Sequence, residues 1–473
     1  MTGRTNGSHS ETAATALAVA AQALVFGPLV AFRFLDGDEG VYAYASRLAF
    51  HGHVPYRDFF YEQMPLLPFV YGAWIGVLGE SWYVIRSLSA LLAIAIGALL
   101  YVHVERRAGR WPAFAAVALY ALSGLVFGYF SIVKTFALAS LFLLGAFVLV
   151  DGRPRPRWLA AGLLVGLAVD TRLVFAAAIP AFAVLAARRR GLPRLVAGLV
   201  VGVVPSVVFF ALSPHAFVFD NLRYHGEKTS HGLVGEPVQK ARTAANLLGF
   251  GAADHALGLQ FAVLLAGAVA ALWLLRRRLP FAAAVGISLG IASFLPTPTY
   301  VQYFCVVVPY LVLTVVELTA WRAGAIALAA GLAVYAAAGA VAFSHDVRTE
   351  PLLKPSVRSV ERVSDVVQSR TRPGEKVLSG WPGYLFGTHA EAVPGYTNQF
   401  APAAAAKVSA REAVRVHVLS EQEIERLIER RVPRLVVERN WVTSPPFADW
   451  DVALRAGRYR PVATLETARI FER

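Results

Sequence analysis

Cysteine is almost missing from this chain: one, Cys305, in 473 residues. No disulfide can form within it, which excludes the small disulfide-stapled secreted folds. Charge is also scarce, at 16% of residues against roughly a quarter in an ordinary soluble domain. A protein soluble along its whole length is therefore excluded. The sequence has no glycine-rich phosphate loop, no nucleotide-binding fingerprint, no Ser-His-Asp arrangement, no internal repeat, and no low-complexity tract beyond alanine-rich runs.

What is there is apolar. Hydrophobic residues make up 56% of the chain, mean hydropathy is +0.53, and apolar runs of about 17–25 residues recur, the length a helix needs to cross a bilayer. The net charge of +14 comes largely from short arginine clusters between those runs, at 105–110, 151–157, 188–194, 276–278 and 321–322. Such clusters mark cytoplasmic loops, whereas a nucleic-acid-binding face needs a continuous basic surface. No nucleic-acid partner is expected.

Placing all five clusters in the cytoplasm predicts about eleven transmembrane helices, near 15–35, 85–104, 111–129, 135–150, 158–170, 173–187, 195–212, 256–275, 280–295, 300–318 and 323–343. Segment 15–35 is too long for a signal-peptide core and reads as a retained anchor. Residues 1–14 form a disordered cytoplasmic N-terminus ahead of a membrane domain spanning 15–344. The alanine-rich, arginine-over-lysine composition suggests a GC-rich bacterial genome, hence a multi-pass protein of the bacterial plasma membrane.

Two outer loops stand out, 36–84 and 213–255. In the first, Val41, Tyr44, Ala45 and Leu48 have helical spacing, predicting an amphipathic surface helix over 39–50. The run 64–79 is apolar but short and starts among prolines, so it reads as a second juxtamembrane helix that does not cross. Beyond 345 the pattern becomes helix, Pro-Gly turn, strand; then helix and strand again, with Ser420 and Glu423 spaced as a capping box; then a closing hairpin. The expectation is a small extracytoplasmic α/β domain over 345–473, with its own core.

The first loop opens with three acids, Asp36, Asp38 and Glu39. Asp38 could cap helix 39–50 with Glu39 favouring its first turn, or a carboxylate here could take a proton from an attacking hydroxyl; the two are compatible. Arg57, Lys134 and Arg172 lie at expected outer ends of segments. Arg223, His225 and Lys228 lie in the second loop. Each reads on its own as an interfacial side chain or as a functional cation. Lys134 is the sharpest, because lysine is scarce and this one sits where the charge rule does not place cations. His51, His53, Asp58 and Glu62 could hold a divalent metal, but their spacing matches no ligand motif; no metal site or cofactor is assigned. Trp82, Tyr83, Tyr300 and Tyr303 read as interfacial belt residues.

The stretch "DEGVYAYASRLAFHG…YEQMPLLPF" resembles the first outer loop of GT-C glycosyltransferases, in the branch of protein O-mannosyltransferases and lipid A aminoarabinose transferases. The matching features are the acidic pair Asp38-Glu39, the helix carrying Tyr42, Tyr44 and Ala45, and a second helix entered through Glu62-Gln63-Met64-Pro65-Leu66. Segments 162–172 and 300–311 are similar to two of its spans, and the resemblance covers roughly 15–320. It implies inverting transfer of a sugar from a polyprenyl-phosphate donor to a glycan, lipid or protein on the outer face. Asp38 would be the general base and Glu39 its support, with Tyr42, Tyr44, Glu62 and Gln63 supporting the loop. Tyr224 joins the second-loop residues, which resemble the family's donor side. Many relatives have lysine where this chain has Gln63, so the resemblance implies that another cation meets the leaving phosphate, with Arg57, Lys134, Arg172, Arg223, His225 and Lys228 as the candidates. Other readings are a polyprenyl-linked glycan flippase or transporter, or a non-catalytic subunit of a cell-wall assembly complex.

Overall fold

A computed structural model describes residues 5–226, 232–251, 254–275, 279–441 and 449–473. The chain packs as two units. One comprises 1–30, 89–204 and 228–346; the other comprises 31–88, 205–227 and 347–473. The C-terminal segment shares its unit with the first loop and with 205–227.

In the first unit the helices are apolar. In chain order the structure has α1 (Thr5–Phe32), α2 (Glu39–Phe50), α3 (Leu66–Leu78), α4 (Trp82–Ala108), α5 (Arg110–Ala121), α6 (Gly124–Phe130), α7 (Thr135–Val150), α8 (Trp158–Thr171), α9 (Ile179–Arg188), α10 (Leu192–Gly202), α11 (Val204–Leu212) and α12 (Pro214–Val218). There follow α13 (Gly232–Leu247), α14 (His255–Leu275), α15 (Phe281–Ser293), α16 (Val308–Val315) and α17 (Arg322–Val347). α1 begins inside the polar stretch expected to be disordered.

Among the described residues, five helices are long and apolar enough to cross a membrane, or up to seven if each of two bent pairs is one span. The expected eleven counts four shorter apolar helices as spans as well. Thr135–Val150, Trp158–Thr171, Leu173–Arg188 and Phe281–Ser293 are shorter helices, and Arg110–Ala121 with Gly124–Phe130 is bent by 62°. Hydropathy alone does not distinguish a spanning helix from a short one buried inside a bundle. The chain remains a polytopic membrane protein.

α8 and α10 pack backbone to backbone, a contact the sequence reading missed. A Cβ on Gly162 would meet Leu195 O at 2.0 Å, on Gly198 Leu159 O at 2.0 Å, and on Gly166 the Cα of Gly202 at 2.7 Å. The glycines stand four apart on each helix (162 and 166; 198 and 202), the small-residue spacing that lets apolar helices approach where water gives no driving force.

In the second unit, α3 is 13 residues long, about 20 Å at 1.5 Å per residue, too short to cross. α2 forms where expected, but Glu39 through Arg47 are all buried: it is enclosed, not half-submerged on a surface. The C-terminal segment carries α18 (Val357–Arg370), α19 (Glu421–Glu429) and a five-stranded sheet. Its strands are β1 (Lys376–Ser379), β2 (Glu391–Ala392), β3 (Leu435–Arg439), β4 (Arg460–Thr464) and β5 (Ala468–Glu472), in the order β2-β1-β3-β5-β4. β2, β1 and β3 run parallel; β5 runs antiparallel to both β3 and β4. Ser420 Oγ accepts from Glu423 N while the Glu423 carboxylate accepts from Ser420 N.

Gly198→Leu should force α8 and α10 apart and lower the melting temperature of the detergent-solubilised protein, while Leu199→Ile on the same helix should not. Equal melting of the two variants would contradict the backbone contact.

Candidate functional site

The acids of the first loop build a turn before they do anything else. Asp36 Oδ1 accepts from Asp38 N at 3.0 Å, and Asp36 O accepts from Glu39 N at 3.0 Å. This is an Asx turn leading into α2. Asp38 is the residue before the helix, but its φ and ψ are already helical and its side chain makes no cap hydrogen bond. The capping role expected of Asp38 is corrected: Asp36 performs the local turn bonding, and the half-buried Asp38 side chain is not spent on a cap.

Glu39 is fully buried, as is Arg86, in the second turn of α4. Arg86 Nε meets Glu39 Oε2 at 2.8 Å and Nη2 meets Oε1 at 2.5 Å, a two-pronged pair. The same guanidinium donates to Arg33 O at 2.8 Å and Phe34 O at 2.9 Å, and Glu39 Oε1 accepts from Asp36 N at 3.0 Å. One buried pair thus fixes both sides of the loop 33–39. Removing one partner would leave a buried unpaired charge, which costs about 3–5 kcal/mol. Sequence reading passed over Arg86; the signal was a lone arginine within an apolar run, at the end where no basic cluster was expected.

The C-terminal segment holds the same loop. Trp381 Nε1 donates to Gly37 O at 2.7 Å, and Leu35 N donates to Pro355 O at 2.7 Å. Gly40 must be glycine, since a Cβ there would lie 2.5 Å from the Trp381 ring. Trp82, expected in an interfacial belt, is instead 2% exposed and stacks on Trp381 with ring centres 5.7 Å apart and planes 3° from parallel. Tyr44 Oη accepts from Ala392 N at 2.8 Å, and Tyr42 meets Tyr61 edge-on.

Between α2 and α3 the chain brings a second acid inward. Glu62 is buried, its carboxylate accepting from Asn398 Nδ2 at 2.5 Å and its carbonyl lying 2.7 Å from His225 Nε2. Asp220, which the sequence reading also passed over, is fully buried; its Oδ2 accepts from Tyr61 N at 3.0 Å, and Oδ1 has no hydrogen-bond partner among the described residues. Burial raises its pKa well above the ordinary carboxyl value, the Tyr61 N–H opposes that, and the nearby Glu62 charge adds to it. The carbonyl of half-buried Gln63 accepts from Tyr56 Oη at 2.5 Å. Tyr224 is buried against Phe60 and Phe219.

The other expected cations divide. In the first unit Lys134 is 2% exposed, directly before α7, and donates to Gln302 Oε1 at 2.7 Å. Arg172, at the end of α8, donates to Thr135 Oγ1 at 2.9 Å and lies over the rings of Phe136 and Tyr303. The first turn of α7 therefore meets both cations, and Tyr303 serves an arginine in place of its expected belt role. In the second unit Arg57 is exposed and clasps Asp58, and Arg223 binds Glu412 at 2.6 Å; acids on the surface already hold both. Lys228 lies outside the described residues. His51 and His53 are exposed and Asp58 is engaged by Arg57, so the four candidate metal ligands do not converge. Among the described residues, Glu438, Asp449 and Asp451 bring ligand atoms within 4.8 Å of one another.

No protein-family model matches the sequence, and no curated protein does. The fold does match solved structures. ArnT from Cupriavidus metallidurans in the apo state aligns over 98% of this chain and 98% of its own, with a TM-score of 0.69 and 15% identity. The same protein bound to undecaprenyl phosphate aligns over 96% of this chain and 97% of its own, at 0.66 and 17%. The Archaeoglobus fulgidus oligosaccharyltransferase, tethered with an acceptor peptide containing the NVT sequon, aligns over 90% of this chain and 69% of its own, at 0.52 and 12%. The likeness is one of fold: the chain shares the overall architecture of these proteins.

Because the folded state favours protonated Asp220, its stabilising contribution is present below the unfolded carboxyl pKa of about 3.9 and is lost as pH rises toward the raised folded value. Asp220→Asn keeps an acceptor for Tyr61 N. It should melt above wild type at neutral pH, with the gap closing as pH falls towards the ordinary carboxyl range. A variant that melts lower at neutral pH would contradict this assignment.

Proposed function

We propose that the chain is a membrane glycosyltransferase that moves a sugar from a polyprenyl-phosphate donor to a hydroxyl-bearing or amide-bearing acceptor on the outer face of a bacterial plasma membrane. The acceptor is a cell-envelope glycan, lipid or protein, and the anomeric centre is inverted. The observation that carries this reading is Asp38: a half-buried carboxylate at the start of α2, on a loop anchored by the fully buried Arg86–Glu39 pair. The fold supports it, since ArnT with that fold is seen bound to undecaprenyl phosphate.

In the proposed step the acceptor oxygen or nitrogen attacks the anomeric carbon from the face opposite the phosphate. Asp38 takes the proton that the acceptor loses. The bond from that carbon to the phosphate oxygen breaks, and the polyprenyl phosphate leaves with the electron pair. Glu39 is a positioning residue: its carboxylate is committed to Arg86 and to Asp36 N, so it holds the loop and does not exchange protons with the substrate.

The charge that develops on the leaving phosphate calls for cations. We assign that work to Lys134 and Arg172, because Lys134 is buried and Arg172 half-buried at the two sides of Thr135, where the field of a cation is little screened by water. Buried cations of this kind in a membrane protein mark functional sites by default. Arg57 and Arg223 are weaker candidates, each being tied to a surface acid. His225 and Tyr224 support the loop at Glu62.

Purified protein incubated with a panel of radiolabelled polyprenyl-phosphate sugars and an envelope extract should release free polyprenyl phosphate. Asp38→Asn should remove at least about 10²-fold of that turnover, the scale of a lost general base. Lys134→Met should raise KM for the donor. Release by Asp38→Asn at the wild-type rate would overturn the assignment of the base, and release from no donor by wild type would overturn the transferase reading.

A further inference from the structure

A cavity of about 320 Å³ opens in the first unit at the far end of α7 from Lys134, at the small end of the range for ligand sites, roughly 300–1,000 Å³. Its floor is aromatic and aliphatic. Phe147 and Phe281 stack with centres 5.1 Å apart and planes 6° from parallel, and the buried His103 ring stands edge-on to Phe147 at 5.3 Å; Leu313 and Val316 complete it. Its mouth is charged. Arg107 is paired with Asp151, His103 Nε2 lies 3.2 Å from the same carboxylate, and Arg107 Nη2 lies 3.8 Å from Glu317 Oε1.

The polar groups stand at the ends of apolar helices. Arg107 is in the last turn of α4, Asp151 directly follows α7, and Glu317 lies in the short helix 316–320 that ends the apolar stretch Val301–Ala320. That is the level at which a membrane protein meets lipid head groups. The charge is mixed, with two carboxylates to one guanidinium, so an anionic head would be opposed. A head group carrying both an ammonium and a phosphate matches it. At 3.8 Å the Arg107–Glu317 contact is longer than a hydrogen bond, so an ammonium can take Glu317 without breaking one, and the freed Nη2 can donate to the phosphate.

We propose that this cavity binds the head group of a zwitterionic amino-phospholipid, its ammonium on Glu317 and Asp151, its phosphate on Arg107, and the start of its chains against Phe147 and Phe281. The site is separate from the residues assigned to sugar transfer, and binding, not turnover, is its readout.

The test is binding of dihexanoyl phosphatidylethanolamine, dihexanoyl phosphatidylglycerol and free phosphoethanolamine to the full-length protein in detergent, by microscale thermophoresis. The ethanolamine lipid should bind, and the glycerol lipid about tenfold more weakly or not at all. Glu317→Gln should weaken the ethanolamine lipid by about tenfold, and Ala320→Trp, which fills the mouth from an exposed position, should abolish its binding; both should melt as wild type does. Equal binding of the two lipids, unchanged binding in both variants, or phosphoethanolamine binding as tightly as the lipid would each overturn the proposal.

Discussion

A guanidinium and a carboxylate, both without exposed surface, face each other at hydrogen-bond distance in the second unit. Taking two such charges out of water is costly, and the cost is offset only when the geometry is good and the remaining donors are also met. Here they are: Arg86 also donates to the carbonyls of Arg33 and Phe34, and Glu39 accepts from Asp36 N. The pair therefore joins the start of α4, the start of α2 and the loop that leads into α2 as one piece. Asp38 is carried on that piece. The Trp381 bond to Gly37 O and the close approach of Trp381 to Gly40 hold the loop from another direction.

The membrane class was legible because 17–25-residue apolar runs and arginine clusters are one-dimensional signals. So were α2, α3, the Ser420–Glu423 capping box and the closing β4–β5 hairpin, since each rests on neighbours a few residues apart. Hydropathy alone did not fix the span count: α7, α8, α9 and α15 are as apolar as the five longer helices but shorter, and burial inside a bundle looks like burial in lipid. Arg86 was missed because its partner is 47 residues away. Asp220 was missed because a lone acid in a polar loop carries no sign that it will be enclosed. Trp82 was misread for the same reason, its partner Trp381 lying in a distant segment.

The two-fold use of charge also shows why residue type alone did not sort the cations. Arg57 and Arg223 sit beside acids on the surface, where an ion pair is worth little and is screened. Lys134 is buried against Gln302 and the Tyr129 ring, and Arg172 lies over Phe136 and Tyr303, where water screens a cation less. Arg107 belongs with a third kind, a mixed-charge rim at the ends of apolar helices. The same side-chain chemistry thus stands in three settings, a surface ion pair, a buried enclosure and a mixed-charge rim, and what surrounds it decides what it can do.

The central claim is that the Arg86–Glu39 pair sets the position of the Asp38 carboxylate. A double-mutant cycle on donor turnover tests it most directly, with Arg86→Met, Glu39→Gln and the double variant each checked for retained fold by circular dichroism. The account predicts that either single change lowers kcat by about 10²-fold, the scale of a displacement near 1 Å, with KM for the donor little altered, and that the double variant loses no more than the worse single one. Wild-type kcat in a folded Arg86→Met protein would contradict it.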